Sequence, residues 1–111
     1  MNSIFHIAER VFWDAAQMSG AYRVPTLDSE GFIHLSTADQ YVHTANRYYR
    51  GRHDLVLLEV DEAALHDLRY ERSTNDELFP HLYGTLPVEA VVRVHLFAPD
   101  SEGTFRSLPL R

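Results

Sequence analysis

Helical and strand-like patterns occupy different parts of this 111-residue chain. Apolar residues recur at helical spacing in residues 9–19 and again after Thr37, whereas the later residues form mainly short β-type runs. A chain with early helices and late, clustered strands favours an α+β fold over a doubly wound parallel sheet. Its length fits one domain, so we predict a single α+β domain over residues 1–111 with two main helices.

Local signals set the predicted bounds of these elements. Gly20 stands where a helix C-cap glycine belongs, and Thr37 with Gln40 has the spacing of a capping box that begins the second helix, which Gly51 ends. Asp61 is predicted to cap a short turn. The predicted strands are residues 3–8, 32–35, 54–60, 68–72 and 88–97.

Two segments carry turn-forming residues and are assigned less regular structure. Residues 21–31 contain Pro25 and several polar side chains, which predict a loop. Residues 78–86 contain Pro80 and Gly84, which suit an edge strand or a shaped loop, because proline cannot donate to a β-ladder.

Composition excludes several kinds of chemistry. The chain has no cysteine, and all ten of its basic residues are arginine. Disulfides, thiolate metal sites, thiol catalysis, Schiff-base lysines and the P-loop lysine are therefore excluded. The net charge of −6 disfavours general binding to RNA or to membrane surfaces. The N-terminal residues do not read as a signal peptide and no segment suits a transmembrane helix, so we expect a cytoplasmic protein.

Three of the seven histidines lie on apolar-flanked strands. Because side chains alternate along a strand, His6 shares a strand face with Ile4 and Ala8. In the same way His34 shares a face with Ser36, and His81 shares one with Tyr83. Such strands are expected to be central, so we predict that His6, His34 and His81 converge in one cleft. The more ordinary alternative for each is a core histidine with a satisfied hydrogen bond. His43, His53 and His66 are expected on the surface, and His95 is expected to be structural.

Other residues suit the binding of an anionic, ring-bearing ligand. Ser36 and Thr37 at a helix start would offer free backbone N–H groups to a phosphate. Arg47 belongs to the one basic cluster, Tyr22 is a loop aromatic able to stack on a ring, and Glu71 is able to orient a hydroxyl or act as a base. The more ordinary alternative for Arg47 is a solvated helix face. For Tyr22 it is anchoring in the core, and for Glu71 it is an exposed carboxylate on a strand.

Two catalytic classes receive little support. The chain has no His-x-His or HExxH motif, so a metal site would require long-range convergence of histidines, and we predict none. The GxSxG motif of serine hydrolases is absent.

The same residues carry a family resemblance. The stretches EGFIHLSTADQ and LFPHLYGTLPVEAVVRV, with IFHIAERVFWDAAQMSGAY near the N-terminus, resemble the domain of unknown function 952 family (DUF952). Such families are similar to small members of the ADP-ribosyltransferase-like fold, which implies a split, mostly antiparallel sheet with NAD in its cleft. The resemblance implies that His6 takes the first site position and His34 the second, as in RNA 2′-phosphotransferases. The third position stays open among Glu71, His81 and Tyr83.

The expected function is an enzyme with a histidine-lined cleft for NAD, ADP-ribose or another phosphorylated nucleotide, of the transferase or phosphotransferase type. His6, His34, His81 and Tyr83 would be catalytic, and Tyr22, Ser36, Thr37, Arg47 and Glu71 would bind the ligand. One alternative is a non-catalytic binding or regulatory module on the same fold. A metal-dependent hydrolase with histidine ligands is another.

Overall fold

The computed structural model describes residues 2–73 and 75–110. Within these ranges the strands are β1 (Ser3–Glu9), β2 (Ala21–Tyr22), β3 (Ile33–His34), β4 (Leu55–Asp61), β5 (Leu68–Arg72), β6 (Leu78–Leu82), β7 (Leu86–Pro87) and β8 (Val91–Leu96). The α-helices are α1 (Arg10–Ser19), α2 (Pro25–Ser29) and α3 (Tyr41–Tyr48). None of these helices is long and apolar enough to cross a membrane.

Two three-stranded sheets form the framework. One has the order β1-β4-β8, the other has the order β3-β6-β5, and β2 pairs with β7 in a short ribbon. Every recorded strand pairing is antiparallel. The two larger sheets meet at a bridge in which Phe5 and Ser36 exchange two backbone hydrogen bonds of 2.7 Å. The predicted α+β class and the mostly antiparallel pairing are therefore confirmed.

The β1-β4-β8 sheet is covered on both faces. Ile4 and Ala8 of β1 join the cluster that includes Trp13 of α1, whereas Phe5 and Ile7 join a second cluster with α3. This explains why β4 is a continuous apolar run rather than an alternating one, since both of its faces are buried. Full burial of each large aliphatic side chain contributes about 1.5–3 kcal/mol.

One carboxylate interrupts that run. Glu59 of β4 is 2% exposed, and it accepts hydrogen bonds from the Ser3 hydroxyl (2.9 Å) and His95 Nε2 (3.0 Å). Arg93 lies 4.0 Å away. Burial alone would raise the pKa of Glu59, but these hydrogen bonds and the Arg93 charge outweigh it and hold the pKa below its usual value. The predicted structural role of His95 agrees with this contact.

The first helix ends as predicted. Gly20 adopts a φ of 88°, and its N–H donates to the carbonyl oxygen of Ala16 (2.7 Å), which closes the last turn. The short turn after β4 also forms, since the Asp61 carboxylate accepts from the Ala63 N–H (3.1 Å).

The prediction of a loop over residues 21–31 is wrong, because this stretch contains β2 and α2. Pro25 occupies the first turn of α2, where a missing N–H costs nothing. Strand β2 depends on a partner 60-odd residues away, β7, which local sequence does not reveal. The chain thus has a third α-helix beside the two predicted main ones.

The second main helix begins at Tyr41 rather than at Thr37. Gln40 forms half of the predicted capping box, because its Oε1 accepts from the Thr37 N–H (3.0 Å). Its Nε2 donates to the carbonyl oxygen of Leu78 (2.7 Å), which ties the start of α3 to β6. Thr37 therefore precedes a turn and does not cap the helix.

Strand β6 lies in the middle of its sheet, so its expected edge position is wrong. Pro80 is tolerated there because its carbonyl oxygen faces the end of β3, where it accepts from the Leu35 N–H (2.9 Å). The last predicted strand is also shorter than expected: residues 88–90 form a 3₁₀ turn, and β8 starts at Val91.

Candidate functional site

A cleft of about 1040 Å³ is lined by residues from β1, β3, β6, α2 and α3. Six of the nine predicted site residues line it: His6, Tyr22, His34, Ser36, Arg47 and His81. The cleft lining does not include Thr37, Glu71 or Tyr83. Glu71 nevertheless contacts His81, and the Tyr83 ring contacts that of Phe32. The predicted convergence of His6, His34 and His81 is therefore present.

Glu71, His81 and Tyr83 form one hydrogen-bonded unit. Oε1 of Glu71 lies 2.8 Å from His81 Nδ1 and accepts the Tyr83 hydroxyl at 2.5 Å. These contacts, first the Tyr83 hydroxyl and then His81, hold the pKa of Glu71 below its usual value, and the same carboxylate raises the pKa of Tyr83. An ionised Glu71 can only accept, so the proton in the His81 contact lies on Nδ1.

The other ring nitrogen of His81 is available to the cleft. Nε2 has no hydrogen-bond partner among residues 2–73 and 75–110, yet no unpartnered polar side-chain atom in those residues is buried. Nε2 is therefore reachable from solvent although the residue is 8% exposed. A carboxylate on one side of an imidazole and an open nitrogen on the other is an arrangement able to transfer protons.

Phe32 holds the histidine pair in place and was not among the predicted site residues. Its ring stacks on His81 at 4.0 Å with 19° between the planes, and it also lies 4.7 Å from the His34 ring. The His34 and His81 rings meet edge to face at 5.3 Å. The available signal was alternation, which puts Phe32 on the same strand face as His34.

His34 is the exposed member of the group. Its ring is about half exposed, and Nε2 lies 3.2 Å from Glu30 Oε1 at the end of α2. The neighbouring Ile33 and Leu35 are buried in the core, as alternation predicted. The strand thus presents His34 to the cleft while its flanking residues anchor it.

His6 reaches the cleft wall with both ring nitrogens engaged by the protein. Nδ1 lies 2.6 Å from the His34 carbonyl oxygen, and Nε2 lies 2.8 Å from the Tyr22 hydroxyl. A carbonyl can only accept, so Nδ1 carries the proton and Nε2 accepts from Tyr22. Burial lowers the pKa of His6 to about 4 and raises the pKa of Tyr22, so both are neutral near pH 7. A ribose contact by His6 stays a prediction and would need one of these bonds to exchange.

The backbone N–H groups of Ser36 and Thr37 themselves are not free to bind a phosphate. The Ser36 N–H donates to the Phe5 carbonyl oxygen, and the Thr37 N–H donates to Gln40. A phosphate contact by Ser36 or Thr37 stays a prediction that would depend on their side chains. Arg47 of α3, in contrast, is exposed and lines the cleft.

The remaining histidines are largely where they were expected. His43, His53 and His66 are exposed, and His43 in addition lines the cleft. Within the described ranges, no group of three or more histidine or carboxylate residues has an arrangement that would hold a metal ion.

Comparison with known proteins supports a relationship over most of the chain. The family model described as "Protein of unknown function (DUF952)" matches residues 7–94. The crystal structure of CC0527 from Caulobacter crescentus is 37% identical with a TM-score of 0.87, over 95% of this chain and 94% of that one. The solution NMR structure of CC0527 is 39% identical with a TM-score of 0.81, over 93% and 90% of the two chains. No curated protein sequence matches.

Proposed function

Because the chain belongs to the DUF952 family, whose description names no activity, we propose a function from the geometry of its own cleft. We infer that the protein is an acid–base enzyme acting on NAD, ADP-ribose or another phosphorylated nucleotide. The observation that carries this proposal is the 2.8 Å contact between Glu71 and His81 Nδ1, with Nε2 of the same ring open to the cleft.

His81 is the proposed proton-transfer group. Glu71 fixes the tautomer of the ring and stabilises the imidazolium that forms when Nε2 accepts a proton, and Tyr83 holds the carboxylate in place. Phe32 fixes the plane of the ring from the other side. A positioned general acid or base of this kind accelerates a reaction by about 10²–10⁴-fold.

The rest of the cleft suits a phosphorylated ligand. His34 lies beside His81 at the exposed side, where it can contact a ribose hydroxyl or a transferred phosphate, and Arg47 supplies a guanidinium for phosphate oxygens. The resemblance to the ADP-ribosyltransferase-like fold left three candidates for the third site position: Glu71, His81 and Tyr83. Here these three residues form one hydrogen-bonded unit, so we propose that the unit as a whole fills that position.

A second candidate is a non-catalytic binding module with the same ligand class. The engagement of both His6 nitrogens by Tyr22 and by the His34 backbone favours it, since that histidine serves the structure. The two candidates share a binding site but differ in turnover, so one set of variants separates them.

Amide NMR shifts of the ¹⁵N-labelled protein, followed during titration with NAD, ADP-ribose and a 2′-phosphorylated oligoribonucleotide, test the proposal. We expect at least one of them to move the signals of His34, His81 and Arg47. Unchanged signals at all three positions, with every ligand, would overturn it.

Turnover is then measured with the ligand that binds. His81→Asn is expected to lower the rate by about 10²-fold or more while binding persists. His66→Asn, an exposed histidine outside the cleft lining, is the matched control. Binding without any turnover would select the module instead.

A further inference from the structure

The wall of the cleft formed by α3 has a different character from the wall around His81. It presents His43, Thr44, Arg47 and Tyr48, with Arg47 and Tyr48 in consecutive positions at the end of the helix. These side chains include a cation and a large exposed aromatic ring. The fold therefore places two chemically distinct regions in one cleft.

Arg47 has a charge that no carboxylate in the described part of the chain neutralises. Arg72, the other arginine of the cleft lining, pairs with Asp76, whereas Arg47 forms no ion pair within residues 2–73 and 75–110. Its guanidinium instead lies 5.5 Å from the centre of the Tyr48 ring. In a chain of net charge −6, a cleft guanidinium that pairs with none of the described carboxylates is a suitable contact for an anion.

Tyr48 is 66% exposed although it lies on a cleft wall. Tyr41 and Ala45, which precede Tyr48 on the same face of the helix, are buried, whereas the Tyr48 ring at the end of the helix is largely exposed and contributes little to the core. An exposed aromatic ring beside a guanidinium matches a ligand that carries a planar ring next to a phosphate, because bases stack on aromatic side chains.

We propose that Arg47 and Tyr48 form a subsite for a nucleobase and its adjoining phosphate. This proposal rests on the proposed function and gives the ligand a direction in the cleft: the base stacks on Tyr48, the phosphate contacts Arg47, and the reacting ribose or phosphate points toward His34 and His81. The substrate class is then a nucleotide that extends beyond its base-bearing phosphate, as a dinucleotide or an oligonucleotide end does.

Binding of AMP and of ribose 5-phosphate, which share a phosphate and differ in the base, tests the subsite. Dissociation constants are measured by amide NMR titration up to millimolar ligand for the wild type, Tyr48→Ala and Arg47→Gln. Tyr48→Ala is expected to weaken AMP by about tenfold and to leave ribose 5-phosphate unchanged, since it removes the stacking contribution alone. Arg47→Gln is expected to weaken both.

Two controls match these variants. Arg50→Gln removes an exposed arginine near the end of α3 that does not line the cleft, and Tyr70→Ala removes a partly exposed tyrosine on β5. Neither is expected to change AMP binding. AMP that does not bind, or a Tyr48→Ala effect equal for both ligands, would overturn the subsite. Shifts at His34 and His81 with ADP-ribose would show that the proposed function survives such a result.

Discussion

Nδ1 of His6 lies 2.6 Å from the carbonyl oxygen of His34, so a buried ring on β1 holds the backbone of the residue that presents the exposed ring on β3. His6 therefore acts on His34 through the backbone of β3. The His6 ring is bound within the protein, whereas the His34 ring is exposed to the cleft. The Tyr22 hydroxyl completes this connection from β2. His6 is accordingly a positioning residue for His34 in this geometry.

The first prediction concerns the charge of His6. Since burial lowers its pKa to about 4, the ring stays neutral with its proton on Nδ1 throughout the range from pH 7 to pH 5. Long-range ¹H–¹⁵N NMR of the imidazole nitrogens measures both the tautomer and the titration. A His6 ring that protonates near pH 6.5, as an exposed histidine does, would contradict this account.

The low pKa of His6 should also make the free energy of unfolding depend on pH. The pKa of His6 falls from 6.5 in the unfolded chain to about 4 in the folded protein, so the unfolded chain binds the extra proton between these values. The stability that wild type gains from neutral His6 is thus present above pH 6.5 and decreases as the pH falls toward 4. We expect the difference in free energy of unfolding between wild type and His6→Gln to be smaller at pH 5 than at pH 7, measured by denaturant unfolding. An equal difference at both values would count against the linkage.

Tyr83→Phe should raise the pKa of Glu71. The Tyr83 hydroxyl is the largest contributor that stabilises the ionised carboxylate, and its removal leaves the His81 contact and the Arg69 charge to do so. Carboxyl ¹³C NMR titration measures the change. Tyr70→Phe, which removes a hydroxyl on β5 that donates to Glu62, is the control and should leave the pKa of Glu71 unaffected. No difference between the two variants would mean that the Tyr83 contact is not formed in solution.

Glu59→Gln should destabilise the fold by about 1–3 kcal/mol at pH 7, because an ionised acceptor between Ser3 and His95 is replaced by a neutral amide. The pKa of Glu59 is lowered in the folded protein, so its contribution is present above the usual glutamate pKa and is lost as the pH falls through the folded value. Urea unfolding at several pH values measures this. Glu89→Gln, at an exposed glutamate, should change stability little. A loss of stability that is independent of pH would exclude a charge effect.

Gly20→Ala should cost about 1–2 kcal/mol, since residue 20 has a φ of 88° that L-residues adopt with strain. An added Cβ would meet nothing within 4 Å, so the cost is conformational rather than steric. Thermal unfolding measures it. Gly20→Asn, which tolerates the left-handed region better, should recover part of the loss; an equal loss for both would point to another cause.

Elements with local signals could be predicted from the sequence. Gly20 ends α1 through a bond within its own helix, and β4 is a continuous apolar run because it is buried on both faces. Local sequence patterns failed to predict elements whose bounds or positions depend on a partner distant in the sequence. Gln40 had the spacing of a helix cap, but its amide group also bonds to Leu78, so the helix begins later. Pro80 signals an edge locally, yet it lies in a central strand because β3 ends opposite it.

The site shows the same division. Alternation correctly placed His34 and His81 toward one cleft and put Tyr83 on the side of His81. It could not show that Glu71 lies two residues along β5 from Arg69, the register partner of His81 on β6, since register depends on strand pairing. Alternation also could not show that the Tyr22 hydroxyl would bind Nε2 of His6, because β2 was not predicted as a strand.

The bridge between Phe5 and Ser36 is a narrow backbone connection between the two larger sheets. Pairing of β1 with β4 extends over seven residues, from Ser3 to Glu9, whereas in the described ranges the two larger sheets are bridged at this one residue pair. The backbone connection between the sheets therefore depends on two hydrogen bonds, whereas side chains of both sheets, such as Ile4 and Ile33, share one core cluster. Hydrogen exchange at the amides of Phe5 and Ser36, which both donate across this bridge, therefore measures how often the backbone connection between the two sheets breaks.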